Sequence, residues 1–296
     1  MSLFARDNDA LRTHPPAGDQ YLSNNGSNWL YAVTALFGVT LLGLFAHKFK
    51  ARAGERLFHY LFIVAMFVGL ITYFANASDL AWDLVRQSNQ INRSGLLRQI
   101  FWAKYVFWVV AFPAIIIALG VLSGVSWATI FFNVVLSWIW IISYLVAAYT
   151  TSNYKWGFFA FGVLAHLMLA YSTMAHSGKS ATRVGIRRDY TMLSAYANFF
   201  WLLYPIAWGL SDGGNVIGVT PSFIFFGVLD ILLVIGFAVM TIVLSRRWDY
   251  NRLNIAFTQY GRVPALAGHY PEKDPANAAT VPAATAPASR GHHGVV

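Results

Sequence analysis

Cysteine is absent from this 296-residue sequence, and charged residues make up only 11% of it. Without cysteine the chain has no disulfides, no thiol chemistry and no cysteine-ligated metal site. Soluble globular domains carry about 25% charged residues, so the composition is that of a membrane protein. The last long apolar run, residues 224–243, lacks lysine altogether and contains one carboxylate, Asp230. We expect no metal site, no catalytic residues and no enzymatic activity.

The net charge of +9 is the second compositional feature, and its distribution matters more than its size. The basic residues lie in short connections between apolar segments, which is typical of residues that orient a membrane protein. We therefore expect the lipid bilayer as a partner, and no nucleic acid.

Seven apolar runs provide the framework of the chain, each close to the ~20 residues that an α-helix needs to cross the hydrocarbon core. They cover residues 28–47, 58–81, 100–122, 126–149, 154–176, 191–211 and 222–244. The pattern predicts an all-α membrane protein, a seven-transmembrane helix bundle that occupies residues 28–250. Residues 1–27 are polar and are expected to form a loosely ordered extracellular tail without a cleavable signal peptide.

Basic residues are concentrated in the first and fifth connections and after the seventh run. They are Lys48, Lys50, Arg52, Arg56, Lys179, Arg183, Arg187, Arg188, Arg246, Arg247 and Arg252. The positive-inside rule then places the amino terminus outside and residues 251–296 in the cytosol. This tail is rich in Ala and Pro and is expected to be disordered from about residue 263.

Three ionisable side chains fall within the apolar runs: Lys104, His166 and Asp230. Each costs at least ~2.5 kcal/mol at membrane depth, which makes each a candidate for function. A buried charge pair between Lys104 and Asp230 would offset much of this cost. Such a pair serves either helix packing or transport, and the residues leave both open. A single buried histidine is more often hydrogen-bonded to a neighbouring helix than part of a proton path.

Aromatic residues form the most specific pattern in the chain. Trp201, Tyr204 and Trp208 share one face of a segment that Pro205 is expected to kink. Trp108 lies in another proline-containing run. Ordinary core packing explains any one of these residues, but two helices with this tryptophan and proline pattern favour a shared pocket.

These motifs resemble those of the microbial rhodopsins over residues 28–250. The resemblance rests on F-W-A-K-Y-V-F-W-V-V-A-F-P in the third run, W-L-L-Y-P-I-A-W in the sixth and G-V-L-D-I-L in the seventh. It implies a bacteriorhodopsin-like bundle in which retinal lies among aromatic side chains, bound as a Schiff base to a lysine of the seventh helix. The pocket positions correspond here to Tyr73, Trp108, Trp201, Tyr204, Trp208 and Asp230.

Position by position, the resemblance implies that the photochemical groups have been lost. The retinal lysine position is occupied by Val234, and the proton-acceptor and proton-donor carboxylates correspond to Phe107 and Ala118. The arginine of the third helix corresponds to Lys104. Extracellular carboxylates of the family correspond to Asp212 and Ser222. Because valine has no amine, a covalent retinal adduct is not expected.

The chain is thus similar to the lysine-less opsin-related proteins of fungi, a branch that includes heat-shock proteins of the plasma membrane. This implies a non-photoactive, stress-linked protein, with the plasma-membrane proton ATPase or other membrane proteins as partners and a homo-oligomer as an option. Two alternatives remain open. One is a receptor that binds retinal or another apolar ligand without a covalent bond in the aromatic pocket, and the other is a light-driven pump or photoreceptor.

Overall fold

The computed structural model describes residues 9–89 and 96–253, and helices dominate both ranges. Each of the seven apolar runs is helical over most of its length, as predicted, although residues 78–81 and 100–102 lie outside the helices. In chain order the α-helices are α1 (Ala10–Thr13), α2 (Asn24–His47), α3 (Arg56–Ala77), α4 (Ala103–Ser123), α5 (Trp127–Tyr149), α6 (Lys155–Tyr171), α7 (Ser177–Val184), α8 (Arg187–Trp208), α9 (Val219–Asp230), α10 (Phe237–Ser245) and α11 (Tyr250–Leu253).

Three stretches of π-helix, with wider turns than an α-helix, interrupt or extend these helices. Ser172–His176 joins α6 to α7, Gly209–Gly213 extends α8, and Ile231–Gly236 joins α9 to α10. Six spans are long and apolar enough to cross a membrane, counting α6 with α7 and α9 with α10 as continuous spans. The seventh is α8, which is less apolar because it begins with Arg187, Arg188 and Asp189.

Local signals in the sequence set several helix ends. The Ser23 hydroxyl accepts a hydrogen bond from the Gly26 amide, so α2 begins at Asn24 rather than at residue 28. Part of the predicted polar tail is therefore helix. At the other end of the bundle, Gly124 and Gly185 follow α4 and α7 with φ of 67° and 82°, in the left-handed region that suits glycine.

A β-hairpin that the sequence did not predict lies between α3 and α4. Strand β1 (Trp82–Arg86) pairs antiparallel with β2 (Leu97–Phe101). The segment before α2 docks on this hairpin, since the amides of Asp19 and Gln20 donate to the Leu97 carbonyl and the Gln99 amide donates to the Gln20 carbonyl. Residues 9–23 therefore lie across the end of the bundle. The predictions for residues 1–8 and for the tail beyond 253 fall outside the described residues.

Helix α4 is the most deeply buried of the spans, whereas α2 is covered mainly along one side. The core combines aliphatic side chains with aromatic rings, and α3, α4, α5, α8 and the α9–α10 span contribute most of the rings. Large apolar side chains also cover the outer faces of the helices, where a bilayer satisfies them. The polar side chains that matter for function are those enclosed within the bundle.

Candidate functional site

The carboxylate of Asp230, at the last residue of α9, lies in the middle of the bundle and is 1% exposed. Three neutral donors reach it. The Tyr73 hydroxyl donates to Oδ2 at 2.5 Å, and the Tyr204 hydroxyl and Trp108 Nε1 donate to Oδ1 at 2.6 and 3.0 Å. Buried polar groups are stable only when they are hydrogen-bonded, and this carboxylate has its partners on α3, α4 and α8. The structure thus brings four of the six predicted pocket residues together.

Val234, which the resemblance places at the retinal lysine position, is fully buried in the π segment that follows Asp230. The wide turn is stabilised from α8, because the Tyr196 hydroxyl donates to the Leu232 carbonyl at 2.5 Å. Gly236 makes this approach possible, since a Cβ there would lie 2.3 Å from the Tyr196 hydroxyl oxygen. The span from α9 through α10 contains no lysine, so it offers no amine to an aldehyde.

The second buried carboxylate is Asp212, in the π segment after α8, also 1% exposed. Its Oδ2 accepts hydrogen bonds from Lys104 Nζ and, at 2.8 Å, from the Tyr105 hydroxyl. Arg98 Nε lies 3.5 Å from Oδ1. The predicted charge pair of Lys104 with Asp230 is therefore wrong: the ion pair runs to Asp212. Lysine reaches this carboxylate because both groups lie near the hairpin end of the bundle.

Two further cations, Arg98 and Lys155, belong to this network. Arg98 is fully buried and donates to Gln20, Asn215, the Ile217 carbonyl and the Ser222 hydroxyl. Lys155 is also fully buried, and its Nζ donates to Gln87 Oε1 at 2.8 Å and to the Asp212 carbonyl at 2.9 Å. We refer to Arg98, Lys104, Tyr105, Lys155 and Asp212 as the Asp212 network.

Sequence spacing contained one signal for this network. Tyr204, Trp208 and Asp212 follow each other at intervals of four, so Asp212 continues the aromatic face of α8 by one turn. The structure links them through Trp208 Nε1, which donates to the Tyr105 hydroxyl at 2.9 Å, the same hydroxyl that donates to Asp212. No local pattern marks Arg98, because the hairpin that buries it depends on pairing across the 82–101 connection.

The aromatic pocket that the sequence predicted is closely packed by its own rings. The ring of Phe112 lies 6.2 Å from that of Trp108, 5.8 Å from Trp201, 5.0 Å from Tyr204 and 5.3 Å from Trp140, measured between centroids. These are ordinary ring-to-ring contact distances. Phe112 therefore bridges tryptophans of α4 and α8, which the resemblance placed around a chromophore.

Phe107 fills a second part of the same region. Its ring contacts Phe37 at 5.3 Å and Tyr73 at 5.9 Å. A Cβ at Gly69 would lie 2.6 Å from the Phe37 ring and 2.9 Å from the Phe107 ring, so the packing depends on the absence of a side chain there. Phe107, which the resemblance places at the acceptor carboxylate position, is thus in contact with rings of α2 and α3.

Four buried polar atoms in this region lack hydrogen-bond partners among the described residues: Trp140 Nε1, the Tyr144 hydroxyl, His166 Nδ1 and Trp201 Nε1. The expectation that His166 bonds to a neighbouring helix is not met at this nitrogen; its ring instead packs on Trp140 with centroids 4.4 Å apart. Unpaired buried donors and acceptors are uncommon and costly. These unpaired atoms suit a small apolar ligand that carries a polar group.

Outside the membrane-spanning helices, Asp79 is a third carboxylate with an altered environment. It follows α3 with φ of 54° and is 2% exposed. Burial raises the pKa of its carboxyl to about 6, although hydrogen bonding from Gln99 and attraction by His14 act to lower it. Asp79 thus titrates at the end of the bundle where the amino-terminal segment docks.

The arrangement of the helices has clear counterparts among solved structures. The crystal structure of a light-driven proton pump from Leptosphaeria maculans superposes with a TM-score of 0.73 at 26% identity, covering 79% of this chain and 99% of that one. The fold is therefore that of the microbial rhodopsins, as the resemblance implied.

Sequence comparison gives the family. A family model described as bacteriorhodopsin-like protein matches residues 24–247. Protein FDD123 of Trametes versicolor is 36% identical over 96% of this chain and 99% of its own length. The 30 kDa heat shock protein of Saccharomyces cerevisiae is 31% identical over 86% of this chain and 83% of its own. The chain belongs to the bacteriorhodopsin-like family, its relatives include opsin-related membrane proteins of fungi, and it is itself a multi-pass membrane protein.

Proposed function

We propose that this protein is a non-photoactive, stress-linked member of the opsin fold, located in the plasma membrane with its amino terminus outside. The observation that carries the proposal is the replacement of a chromophore site by protein packing. Phe107 and Phe112 occupy space between the pocket aromatics, and Val234 supplies no amine. The link to stress is supported by its similarity to the 30 kDa heat shock protein of Saccharomyces cerevisiae.

Asp230 is stable here without a protonated Schiff base beside it. In a retinal protein a carboxylate near the chromophore balances the charge of a protonated Schiff base. Here three neutral donors from Tyr73, Trp108 and Tyr204 complete its hydrogen bonding within the protein. A carboxylate that is satisfied in this way stabilises the packing of four helices and needs no cationic ligand.

The experiment that tests this proposal is reconstitution with all-trans retinal. We expect purified protein to show no visible absorption band that survives washing and no adduct after borohydride reduction. The proton pump of Leptosphaeria maculans, prepared in the same way, serves as the positive control. A stable visible band or a reduced retinal adduct on the unmodified chain would overturn the proposal.

A graded set of variants separates the missing amine from the missing space. Val234→Lys with Phe107→Asp restores the amine and an acceptor but leaves Phe112 between Trp108 and Trp201. We expect this double variant to form little pigment, and the addition of Phe112→Ala to increase the yield. Equal pigment from the double and the triple variant would show that Phe112 does not obstruct the site.

A second candidate function is favoured by the unpaired Trp201 Nε1 and His166 Nδ1. They suit a small apolar ligand that carries one polar group and binds without a covalent bond, in a pocket that rearranges to admit it. Titration with retinal and with retinol, read by tryptophan fluorescence, tests this candidate. Saturable quenching that is lost in Trp201→Phe supports a receptor function, and a strictly linear response contradicts it.

The membrane orientation and the partners belong to the same proposal. The basic residues that follow α2, α7 and α10 lie at one end of the bundle, where His47 contacts Arg246 and Trp248 contacts Asp189. This supports a cytosolic carboxyl terminus by the positive-inside rule. We propose the plasma-membrane proton ATPase or another membrane protein as the partner, which crosslinking in native membranes followed by mass spectrometry can test.

A further inference from the structure

Two histidines from adjacent helices meet at the basic end of the bundle, away from the sites described above. His47 is the last residue of α2, and His59 lies in the first turns of α3 and is fully buried. His47 Nδ1 is 2.8 Å from His59 Nε2, and the two ring planes are nearly parallel, 8° apart, with centroids 5.0 Å apart. The two imidazoles are thus directly hydrogen-bonded to each other.

The groups at either end of the pair determine where its protons are. Arg246 Nη2 lies 3.0 Å from His47 Nε2, and a guanidinium only donates, so this nitrogen accepts. His59 Nδ1 lies 3.0 Å from the Glu55 carbonyl oxygen, which only accepts, so this nitrogen carries hydrogen. His47 Nδ1 must then donate to His59 Nε2. Both rings are neutral, and the chain of hydrogen bonds runs from Arg246 to the Glu55 backbone.

An added proton breaks this chain at one of two places. If the proton binds His47 Nε2, an N–H group then faces the N–H groups of the Arg246 guanidinium. If it binds His59 Nε2, an N–H group then faces the N–H of His47. The carboxyl end of α2 favours a cation, whereas the amino end of α3 disfavours one. The proton therefore goes to His47, and the contact that is lost is the one with Arg246.

Arg246 begins the segment that follows α10, so this contact helps to hold that segment against the bundle. Arg52 provides a second tie, because its Nη2 donates to the carbonyl oxygens of Ser245 and Arg246 at 3.0 Å each. The Arg52 guanidinium also lies 5.0 Å from the centre of the Tyr250 ring. The first connection, between α2 and α3, thus supplies polar contacts to a segment that buried Trp248 also anchors, since Trp248 Nε1 donates to Asp189 Oδ2 at 2.8 Å.

Most of the charges around the pair disfavour its protonation, and Glu55 acts against them. On the elements packed around it, the neighbouring charged groups are Lys48 after α2, Arg52 and Glu55 before α3, and Arg246 after α10. Glu55 is already paired with Arg52 at 2.7 Å. A cationic histidine would therefore sit among three cations and one compensated carboxylate, which makes the docked arrangement unfavourable once the pair is protonated.

We propose that the His47–His59 pair is a proton-sensitive clasp that holds the start of the carboxyl-terminal segment and weakens when the adjoining compartment becomes acidic. The docked form binds fewer protons than the released form. Docking is therefore favoured at neutral pH and is lost as the pH falls. A neutral histidine pair gains a proton on acidification, so the clasp weakens as the pH falls.

The absence of cysteine makes this directly measurable, because one introduced cysteine can be labelled uniquely. The full chain carrying the exposed position Arg247→Cys is spin-labelled, placed in lipid nanodiscs and titrated from pH 8 to pH 5 by electron paramagnetic resonance. We expect the mobile fraction to rise at least twofold, with a midpoint between about pH 5.5 and 6.5. No change across this range would overturn the proposal.

Variants assign the transition to the clasp. His47→Gln is expected to abolish the pH response, whereas His176→Gln and His14→Gln, which remove histidines elsewhere, are expected to retain it. Arg246→Ala keeps both histidines but removes the contact with His47, so its label should be more mobile at pH 8 than in the unmodified chain and should not respond to pH. An unchanged transition in His47→Gln, or an immobile label at pH 8 in Arg246→Ala, would count against the clasp.

Discussion

Two carboxylates of this protein are equally buried, yet the protein stabilises them by different means. Asp212 lies near the hairpin and is paired with Lys104 and Arg98, whereas Asp230 lies deeper and is bound by neutral hydroxyl and indole donors. The cations enter from the end of the bundle, on the hairpin and at the start of α4 and α6. Lys104, at the end of the bundle, is long enough to pair with Asp212. Asp230, at the centre, accepts hydrogen bonds from aromatic side chains of the surrounding helices.

The comparison shows which of the two carboxylates depends on charged partners for its stability. Removing one partner of a buried ion pair leaves an uncompensated charge and costs about 3–5 kcal/mol, whereas removing an ordinary buried hydrogen bond costs about 1–3 kcal/mol. Asp212 is the only carboxylate among the described residues that accepts contacts from Arg98 and Lys104. Its loss should therefore be the more harmful.

The largest expected effect is that of Asp212→Asn. The substitution keeps the shape of the side chain but leaves Arg98 and Lys104 without a carboxylate, so we expect a loss of about 3–5 kcal/mol in the free energy of unfolding. Asp230→Asn is the matched comparison. Its amide oxygen can still accept from Tyr204 or Trp108, and we expect a loss of about 1–2 kcal/mol.

Unfolding of both variants in mild detergent, followed by circular dichroism against temperature and denaturant, provides the measurement. If Asp230→Asn proved as destabilising as Asp212→Asn, or more so, the division between a charged and a neutral site would be incorrect.

The pairing of Lys104 is tested more sharply by two double-mutant cycles. Lys104→Met is combined with Asp212→Asn in one cycle and with Asp230→Asn in the other. Close charge pairs give coupling energies of about 1.5 kcal/mol or more, and we expect this for Asp212. For Asp230, which Lys104 does not contact, we expect about 0.5 kcal/mol or less. The reverse order would restore the pairing predicted from the sequence.

The smallest expected effect concerns Asp79, at the hairpin end but outside the spans. Because burial raises its pKa to about 6, above the unfolded value of about 3.9, the native state binds more protons between about pH 4 and 6. Its contribution to stability therefore decreases as the pH rises through this window. Asp79→Asn should remove that dependence and raise the thermal midpoint at pH 7 by about 2–4 °C.

Thermal unfolding at pH 4, 5, 6 and 7 compares the variant with the unmodified chain. A difference between the two that stays constant with pH would show that the Asp79 carboxyl is not the group responsible.

Helical structure was largely predictable from the sequence, because a run of ~20 apolar residues has few other stable conformations in a bilayer. The face that carries Trp201, Tyr204 and Trp208 was also predictable, because residues three or four apart lie on the same side of a helix. The β-hairpin was not, since the pairing of 82–86 with 97–101 depends on contacts across a connection that has no regular apolar pattern.

The choice of partner for Lys104 also lay beyond the sequence. Asp212 and Asp230 are both more than 100 residues away along the chain, so only the arrangement of the helices decides between them. Asp212 directly follows the sixth apolar run, 191–211, and a carboxylate in such a connection is ordinarily solvated. The π segment draws it into the bundle instead, and nothing in its immediate neighbours indicates this.

The wide turn after Asp230 has a consequence for anyone aligning this helix with other chains. An α-helix advances about 100° per residue, so one additional residue in a turn rotates everything beyond it by that angle relative to an uninterrupted helix. Deleting a single residue from Ile231–Gly236 would leave the composition of the span nearly unchanged, yet it would swing the buried side of α10 away from its neighbours. When this helix is aligned with that of another chain, residues beyond the turn are therefore better paired by their contacts than by their distance along the sequence.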